Sequence, residues 1–265
     1  MQQVVDLIIR EFKNNLNLFV LLSIFFAIET IWPYFKFKQN RSIHTFRNLG
    51  VLLFYLVVTT PINYIATAWY GCIDTEKFGL LHQFALPSFL RIGIGLLLMD
   101  CGDYFYHRIS HRSNFIWRFH KIHHSDLDVD STTAFRFHPI DNIGLVMMEM
   151  FTALIFGYGS DTIAIYFLIY LPLLFVQHAN FRFPDKIERI FETIFATSNF
   201  HRIHHSYPQH YTDSNYGAVF SFWDRLFRTY QKADPKNIHY GLEDSQTDDQ
   251  QSLTHLITGP FKSSR

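Results

Sequence analysis

Cysteine is nearly absent: Cys72 and Cys101 are the only two in 265 residues. Two thiols exclude a disulfide framework, their placement excludes a thiolate metal site, and they leave the redox compartment open. Excess charge is missing too, because 23 basic and 23 acidic side chains cancel, and no overall field recommends nucleic acid as a partner. Residues 1–15 carry Asp6, Arg10, Glu11 and Lys13 without a basic run or a small-residue cleavage site, so no cleaved signal peptide is expected. Polar interruptions are scarce next to this stretch. Between Leu16 and Phe35 only Asn17, Ser23, Glu29 and Thr30 break an apolar run long enough to cross a bilayer.

What is abundant is apolar mass, 48% of the chain with 29 Phe and 14 Tyr, and it is concentrated in runs. Five segments stand out, at about 17–35, 49–70, 86–106, 143–157 and 162–178. The first three meet the requirement of about 20 residues for a spanning helix; the last two are shorter, and Pro172 interrupts the fifth. Tyr158, Gly159, Ser160 and Asp161 join segments four and five as a turn rich in breakers, which makes them a hairpin that returns the chain to its starting face. Lys36, Lys38, Arg41 and Arg47 flank one loop and Arg108, Arg112, Arg118 and Lys121 another, so both belong on the cytoplasmic side. The stretch 186–195 is amphipathic and suits the membrane interface. From Gly241 onward Glu243, Asp244, Asp248 and Asp249 among Gln and Ser predict a weakly ordered polar tail. The expected fold is therefore all-α: a membrane bundle of about four transmembrane helices, one hairpin partly re-entrant, with a cytosolic, helical, histidine-rich cap.

Ten of the 15 histidines fall between residues 107 and 205. His107 and His111 are four apart, on one face of a helix. His120, His123 and His124 repeat the pattern at i, i+3 and i+4, as do His201, His204 and His205. His178 ends segment five and His138 precedes segment four, both on the inferred cytoplasmic face. One helical face presents three imidazoles, and other helices must complete the shells of one or two metal ions. A single histidine is ordinarily a surface or hydrogen-bonded side chain, the reading given to His44, His82, His210, His239 and His255. Clusters that all map to one membrane face are not explained that way.

A structural zinc site is usually four-coordinate and commonly uses cysteine. A histidine-rich, cysteine-free set suits iron, although zinc, copper and nickel also accept imidazole. Ligating histidines normally donate their second ring N–H to a carboxylate or carbonyl. Asp103, four residues before His107 with Asp100 a turn earlier, is expected to be such a partner; a helix-end ion pair with Arg108 or Arg112 is the alternative. Glu29 and Glu149 lie inside apolar runs and are read as snorkelling or helix-bridging side chains without an assigned role.

The chain resembles the fatty acid hydroxylase and sterol desaturase superfamily of membrane di-iron enzymes. The resemblance rests on DYFYHRISH (103–111), WRFHKIHHS (117–125), FRFHP (135–139), QHAN (177–180), FHRIHHS (200–206), and DSNYG with WDRLFRTY (213–230), covering roughly residues 95–230. It implies one membrane-embedded domain over residues 1–240, two Fe2+ ions with zinc an acceptable substitute in a purified sample, O2 as co-substrate, and a lipid substrate of sterol, fatty acyl or alkylglycerol type. An external electron donor of ferredoxin or b-type cytochrome kind is implied as well, with a bacterial inner membrane favoured over the endoplasmic reticulum. Members with a fuller histidine set carry a further His-x-x-x-His pair near the fifth segment, whereas His178 is followed four residues later by Arg182. That leaves one coordination position to His138, Asn180 or water.

The expected function is O2-dependent hydroxylation or desaturation of a lipid at an unactivated C–H bond. The expected metal set is His107, His111, His120, His123, His124, His138, His178, His201, His204 and His205. A histidine-rich metal transporter and a metal-stabilised protein without chemistry are the rival readings. Transport sites tend to lie near the bilayer midplane on broken helices, whereas these clusters follow the ends of the apolar segments.

Overall fold

The computed structural model describes residues 16–234, 238–243 and 245–262. Residues 1–15, on which the signal-peptide expectation falls, lie outside them. The principal helices are α1 (Leu16–Ile31), α2 (Arg41–Glu76), α3 (Ser88–Arg112), α4 (Asn114–His124), α5 (Pro139–Phe156) and α6 (Ser160–His178). Short helices follow: α7 (Asp185–Phe191), α8 (Ser198–His204), α9 (Gln209–Thr212), α10 (Phe222–Leu226) and α11 (Leu253–Thr258). Among the described residues there is no strand, only isolated bridges such as Phe195 with Phe220.

Local chemistry sets the ends of the long helices. Asn40 caps α2 by accepting from Ile43 N at 3.2 Å, and the helix stops at Lys77, which takes a left-handed conformation at φ 53°. Pro139 occupies the first turn of α5, where a missing N–H costs nothing, and Gly157 ends that helix at φ 81°. Gly157 also meets Gly79 backbone to backbone: a Cβ on Gly79 would fall 2.2 Å from Gly157 N. The turn between α5 and α6 is thus locked against the end of α2, and Asp74 Oδ2 accepts from Ser160 N at 2.9 Å. The hairpin read from the sequence is present.

Three stretches among the described residues are long and apolar enough to cross a membrane: 41–83, Pro139–Phe156 and Ser160–His178, with Leu16–Ile31 shorter. The protein is an integral membrane helical bundle. Leu53, Val57, Phe151 and Leu168 are more than half exposed on the long helices, an arrangement that lipid, not water, accommodates. The third expected spanning segment is the helix α3, but Arg91, Asp100 and Asp103 make it too polar to qualify by composition. It nonetheless runs between the same two ends as its neighbours, because Asp100 and Asp103 are buried inside the bundle and do not face lipid. Ile187, Ile190, Phe191 and Ile194 are exposed on and just after α7, the apolar face expected of an interfacial segment.

Buried carboxylates tie the elements together. Glu29, fully buried on α1, accepts from Ser131 N at 3.0 Å, Ser131 Oγ at 2.8 Å, Asn180 N at 3.0 Å and Arg41 Nη2 at 3.1 Å. It is a tether, not a snorkelling side chain. The segment after Gly241, expected to be weakly ordered, carries α11 and folds back onto the cap: Gln251 Oε1 accepts from Arg136 Nη2 at 2.6 Å and its Nε2 donates to Ser125 O at 2.8 Å. Polar composition misled here because the contacts are specific hydrogen bonds to a buried arginine.

Asp100 receives Val219 N at 2.8 Å, Phe220 N at 3.1 Å, Trp223 Nε1 at 2.8 Å and Tyr166 Oη at 2.9 Å, joining α3 to α6 and to the loop before α10. Asp100→Ala leaves these donors unmatched in a dry interior and should cost about 3 kcal/mol or more. Asp185→Ala, at an exposed ion pair, should stay within about 1 kcal/mol. Thermal unfolding in detergent checks the contrast.

Candidate metal centre

Four helices deliver the histidines to the end of the bundle where α2 begins. His107 and His111 extend from the last turns of α3. Ser113 then caps α4 by accepting from Ile116 N, so α4 turns back after a single linking residue and projects His120, His123 and His124 toward α3. His178 is the last residue of α6, and α8 brings His201 and His204, with His205 at its cap.

The rings converge into two groups. His107, His111, His120, His124 and His204 form one; His123, His178, His201 and His205 form the other. Within each, one nitrogen per ring lies within 4.8 Å of the others. His120 Nε2 and His124 Nε2 are 3.2 Å apart, His123 Nε2 and His178 Nε2 3.2 Å, His178 Nε2 and His201 Nε2 3.1 Å, and His201 Nε2 and His205 Nε2 3.1 Å.

For four of the nine rings a protein acceptor holds the outer nitrogen and leaves the inner one free. His120 Nδ1 donates to Asp141 Oδ2 at 2.9 Å, His107 Nδ1 to Tyr216 O at 2.8 Å, His178 Nδ1 to Leu174 O at 2.8 Å and His204 Nδ1 to Ser214 O at 2.7 Å. A ring that donates from Nδ1 while neutral presents a lone pair at Nε2, and these lone pairs face one another. The Nε2 atoms of His107, His111 and His204 are buried with no hydrogen-bond partner at all among the described residues. Burial, then the neighbouring imidazoles, hold His123, His124, His201, His204 and His205 well below the ordinary histidine range, hence neutral as a ligand must be. Converging lone pairs without donors are what one cation per group would satisfy, so the residues fit a pair of metal ions.

The loop after α8 exists to supply two of those acceptors. Asn215 takes the left-handed conformation at φ 55°, and its side chain donates to Phe200 O at 2.9 Å while accepting from Gln231 N at 2.8 Å. Asp224 accepts from Tyr216 N and Gly217 N, both at 2.8 Å, and burial pushes its carboxyl up to about 6. Together they fix Ser214 O and Tyr216 O against His204 and His107.

A cavity of about 1150 Å³ opens on both groups through His107, His120, His123, His178 and His201. It also touches Ser160 and His178, the two ends of α6, which at 1.5 Å per residue are about 27 Å apart. Leu21, Leu56, Val146, Phe167 and Leu171 contribute to its mostly apolar wall.

The model of the fatty acid hydroxylase family matches residues 92–229, more than half of the chain. The chain belongs to this family. Among curated relatives, the ornithine lipid hydroxylase of Rhizobium tropici is 25% identical over 217 residues, covering 79% of this chain and 64% of that protein. Human alkylglycerol monooxygenase is 28% identical over 153 residues, 54% of this chain and 31% of that protein. The Candida albicans delta(7)-sterol 5(6)-desaturase is 22% identical over 245 residues, 84% of this chain and 59% of its own. The chain thus spans less than two thirds of the length of each of these relatives. No solved structure matches.

Nine of the ten histidines expected from the family's motifs are brought together; His138 is not. Its Nδ1 accepts from Ile140 N at 3.3 Å as the cap of α5, and its Nε2 donates to Ile257 O at 3.2 Å, so both nitrogens are used away from the two groups. Asn180 is no substitute, since its side chain pairs with the backbone of Phe35 in both directions. Arg182 pairs with Asp185, away from the histidines. Asp103 also departs from expectation. Its Oδ2 accepts from Tyr166 Oη at 2.7 Å, and His107, the histidine on its own helical face, has already given its N–H to Tyr216 O. The carboxylate that does orient a ring is Asp141, in the first turn of α5. The sequence signal for it was an acid two residues after Pro139, in a stretch where the histidine drew attention first. Trp117, whose ring lies 4.8 Å from His111 and 5.5 Å from His124, and Phe137, stacked on His123 at 4.3 Å, are further wall residues that pattern reading passed over.

Asp141→Asn retains the shape but weakens the hold on the His120 ring, so metal retention should fall about 10- to 100-fold. Asp103→Asn should leave metal content unchanged. Elemental analysis of both variants after anaerobic iron loading makes the comparison.

Proposed function

We propose that the two histidine groups hold two iron ions, and that the protein uses O2 and electrons from an external donor to hydroxylate or desaturate a lipid at an unactivated C–H bond. The single observation that carries this reading is one long apolar cavity ending on the inward nitrogens of both groups. Family membership and relatives named as lipid hydroxylases, an alkylglycerol monooxygenase and a sterol desaturase support it. Bound iron would supply O2 activation and hydrogen abstraction from carbon, chemistry no side chain here possesses.

The chain's own residues do the rest. His107, His111, His120, His124 and His204 would hold one ion, and His123, His178, His201 and His205 the other. Asp141, Ser214 O and Tyr216 O keep the rings aimed, and the apolar wall excludes water while aligning a lipid tail along α6. The cavity's apolar wall favours this reading over metal transport, for which a polar path would be needed. The unit is one membrane-embedded domain, to which the segment after Gly241 belongs through Gln251 and Leu256. Its histidine end is cytoplasmic: the basic loop at 36–41 joins that end through Lys38 N and Gln39 N, which donate to Asp128 at 2.9 Å, and Arg108, Arg112 and Arg118 belong to the same end.

Iron loading should give nearly two equivalents per chain, and replacing His120, His123 and His124 with alanine should abolish both. Lipid-dependent O2 consumption should go with the metal; full turnover in that triple variant would remove the assignment. For topology, His210→Cys and Glu76→Cys should label from opposite faces of sealed vesicles, the former from the cytoplasmic face.

A further inference from the structure

The cavity holds a polar node that the oxidation chemistry does not use. Asp103, on α3, is 6% exposed and lines the cavity, yet its Oδ1 has no hydrogen-bond partner. Tyr70, on α2, is 5% exposed and also lines it, with an unpartnered hydroxyl. Glu149, on α5, is 5% exposed and lines it too, close enough to Asp103 for the two carboxyl groups to interact. Nearby Asp100 shows the contrast, since four donors satisfy it. Buried carboxylates are retained in a membrane interior only where something pairs with them. Among the described residues lining the cavity there is no lysine or arginine to do so.

We infer that Asp103, Glu149 and Tyr70 form the recognition site for a hydrogen-bond-donating group on the lipid, a hydroxyl or an ammonium, and that the cavity rejects lipids whose polar group there is a carboxylate or a phosphate. The inference rests on the reading of this cavity as a lipid site. An anionic group would meet two carboxyl groups and no cation; a hydrogen-bond donor meets the unmatched oxygens of Asp103 and Tyr70. Position adds a consequence. Asp103 is one helical turn, about 6 Å along the axis, from His107. A donor group held at Asp103 therefore lies only a few bonds' reach from the histidines.

The test uses the full-length protein in neutral detergent and four hexadecyl probes that carry the same mid-chain photoreactive diazirine but end in an amine, an alcohol, a carboxylate or a phosphate. Labelled peptides are mapped by mass spectrometry. The amine, the alcohol or both should label residues of α5 and α6 at least tenfold better than the carboxylate and the phosphate, and which of the two labels tells ammonium from hydroxyl recognition. Asp103→Asn with Glu149→Gln, which replaces one acceptor oxygen on each side chain by a donor NH2, should erase or invert that preference while iron content stays at the wild-type level. Tyr70→Phe, a milder change that removes one hydroxyl, should reduce the preference severalfold if the double variant does not fold. Equal labelling by all four probes, or an unchanged preference in the folded variants, would overturn the inference. Because labelling reads binding and not turnover, a protein that shows the preference but consumes no O2 would count against the proposed oxidation alone.

Discussion

Nine imidazoles cannot be assembled in a dry interior by their attraction for one another, because neutral rings aimed inward present lone pair to lone pair. His178 Nε2 stands 3.2 Å from His123 Nε2 and 3.1 Å from His201 Nε2 with its only proton committed to Leu174 O. The outer shell must therefore impose the arrangement, and much of the structure serves that need. The backbone oxygens of residues 174, 214 and 216 and the Asp141 carboxylate each take one Nδ1 proton. The turn at Asn215, the Asp224 anchor and the links from Asp100 hold those acceptors in place. A cation in each group would convert the remaining frustration into binding.

A second buried network braces the far end of α4. His44 on α2 lies 2.8 Å from Asp126 Oδ1, and Asn48 and Thr133 donate to the same carboxylate. Burial alone would raise the Asp126 carboxyl, yet His44 and Arg136 hold it far below the usual carboxylate range. Arg136 is itself buried, bonded to Asn48, Ser125, Gln251 and the Ile122 carbonyl. The residues just after the HKIHH cluster are thus clamped between the first long helix and the C-terminal segment. A polar network this complete is rigid because each member would be costly to leave unpaired.

The distribution of acids in the bundle divides structural from receptive sites. Glu29 and Asp100 have both oxygens filled by protein donors, whereas Asp103, which accepts only from Tyr166, keeps one oxygen unmatched and with Glu149 faces the open cavity. The same residue types, one or two turns apart on membrane helices, take opposite roles because of what packs opposite them. Helix α3 carries both kinds, which explains how a segment too polar to qualify as a span by composition still runs through the bundle.

The helical class, the hairpin and nine of the ten clustered histidines were legible because they depend on local spacing: i, i+3 and i+4 rings share a helical face, and apolar runs of bilayer length have few other solutions. The motif at 213–230 was visible as a pattern, but its work was not, since it acts through backbone oxygens that no side-chain identity announces. Spacing could not choose between Asp103 and Asp141 for the histidine proton. Both share a helix face or loop with histidines, and only the packing of α5 against α4 brings Asp141 Oδ2 within 2.9 Å of His120. Likewise His138 reads as a ligand until the helix it caps is seen, and the polar tail reads as loose until Gln251 is found against Arg136. Sequence determined which groups are chemically able to bind a metal and that they follow the ends of the apolar runs. Tertiary structure decided how they divide into two sets and which acids are spent on folding, because those outcomes depend on contacts between segments far apart in the chain.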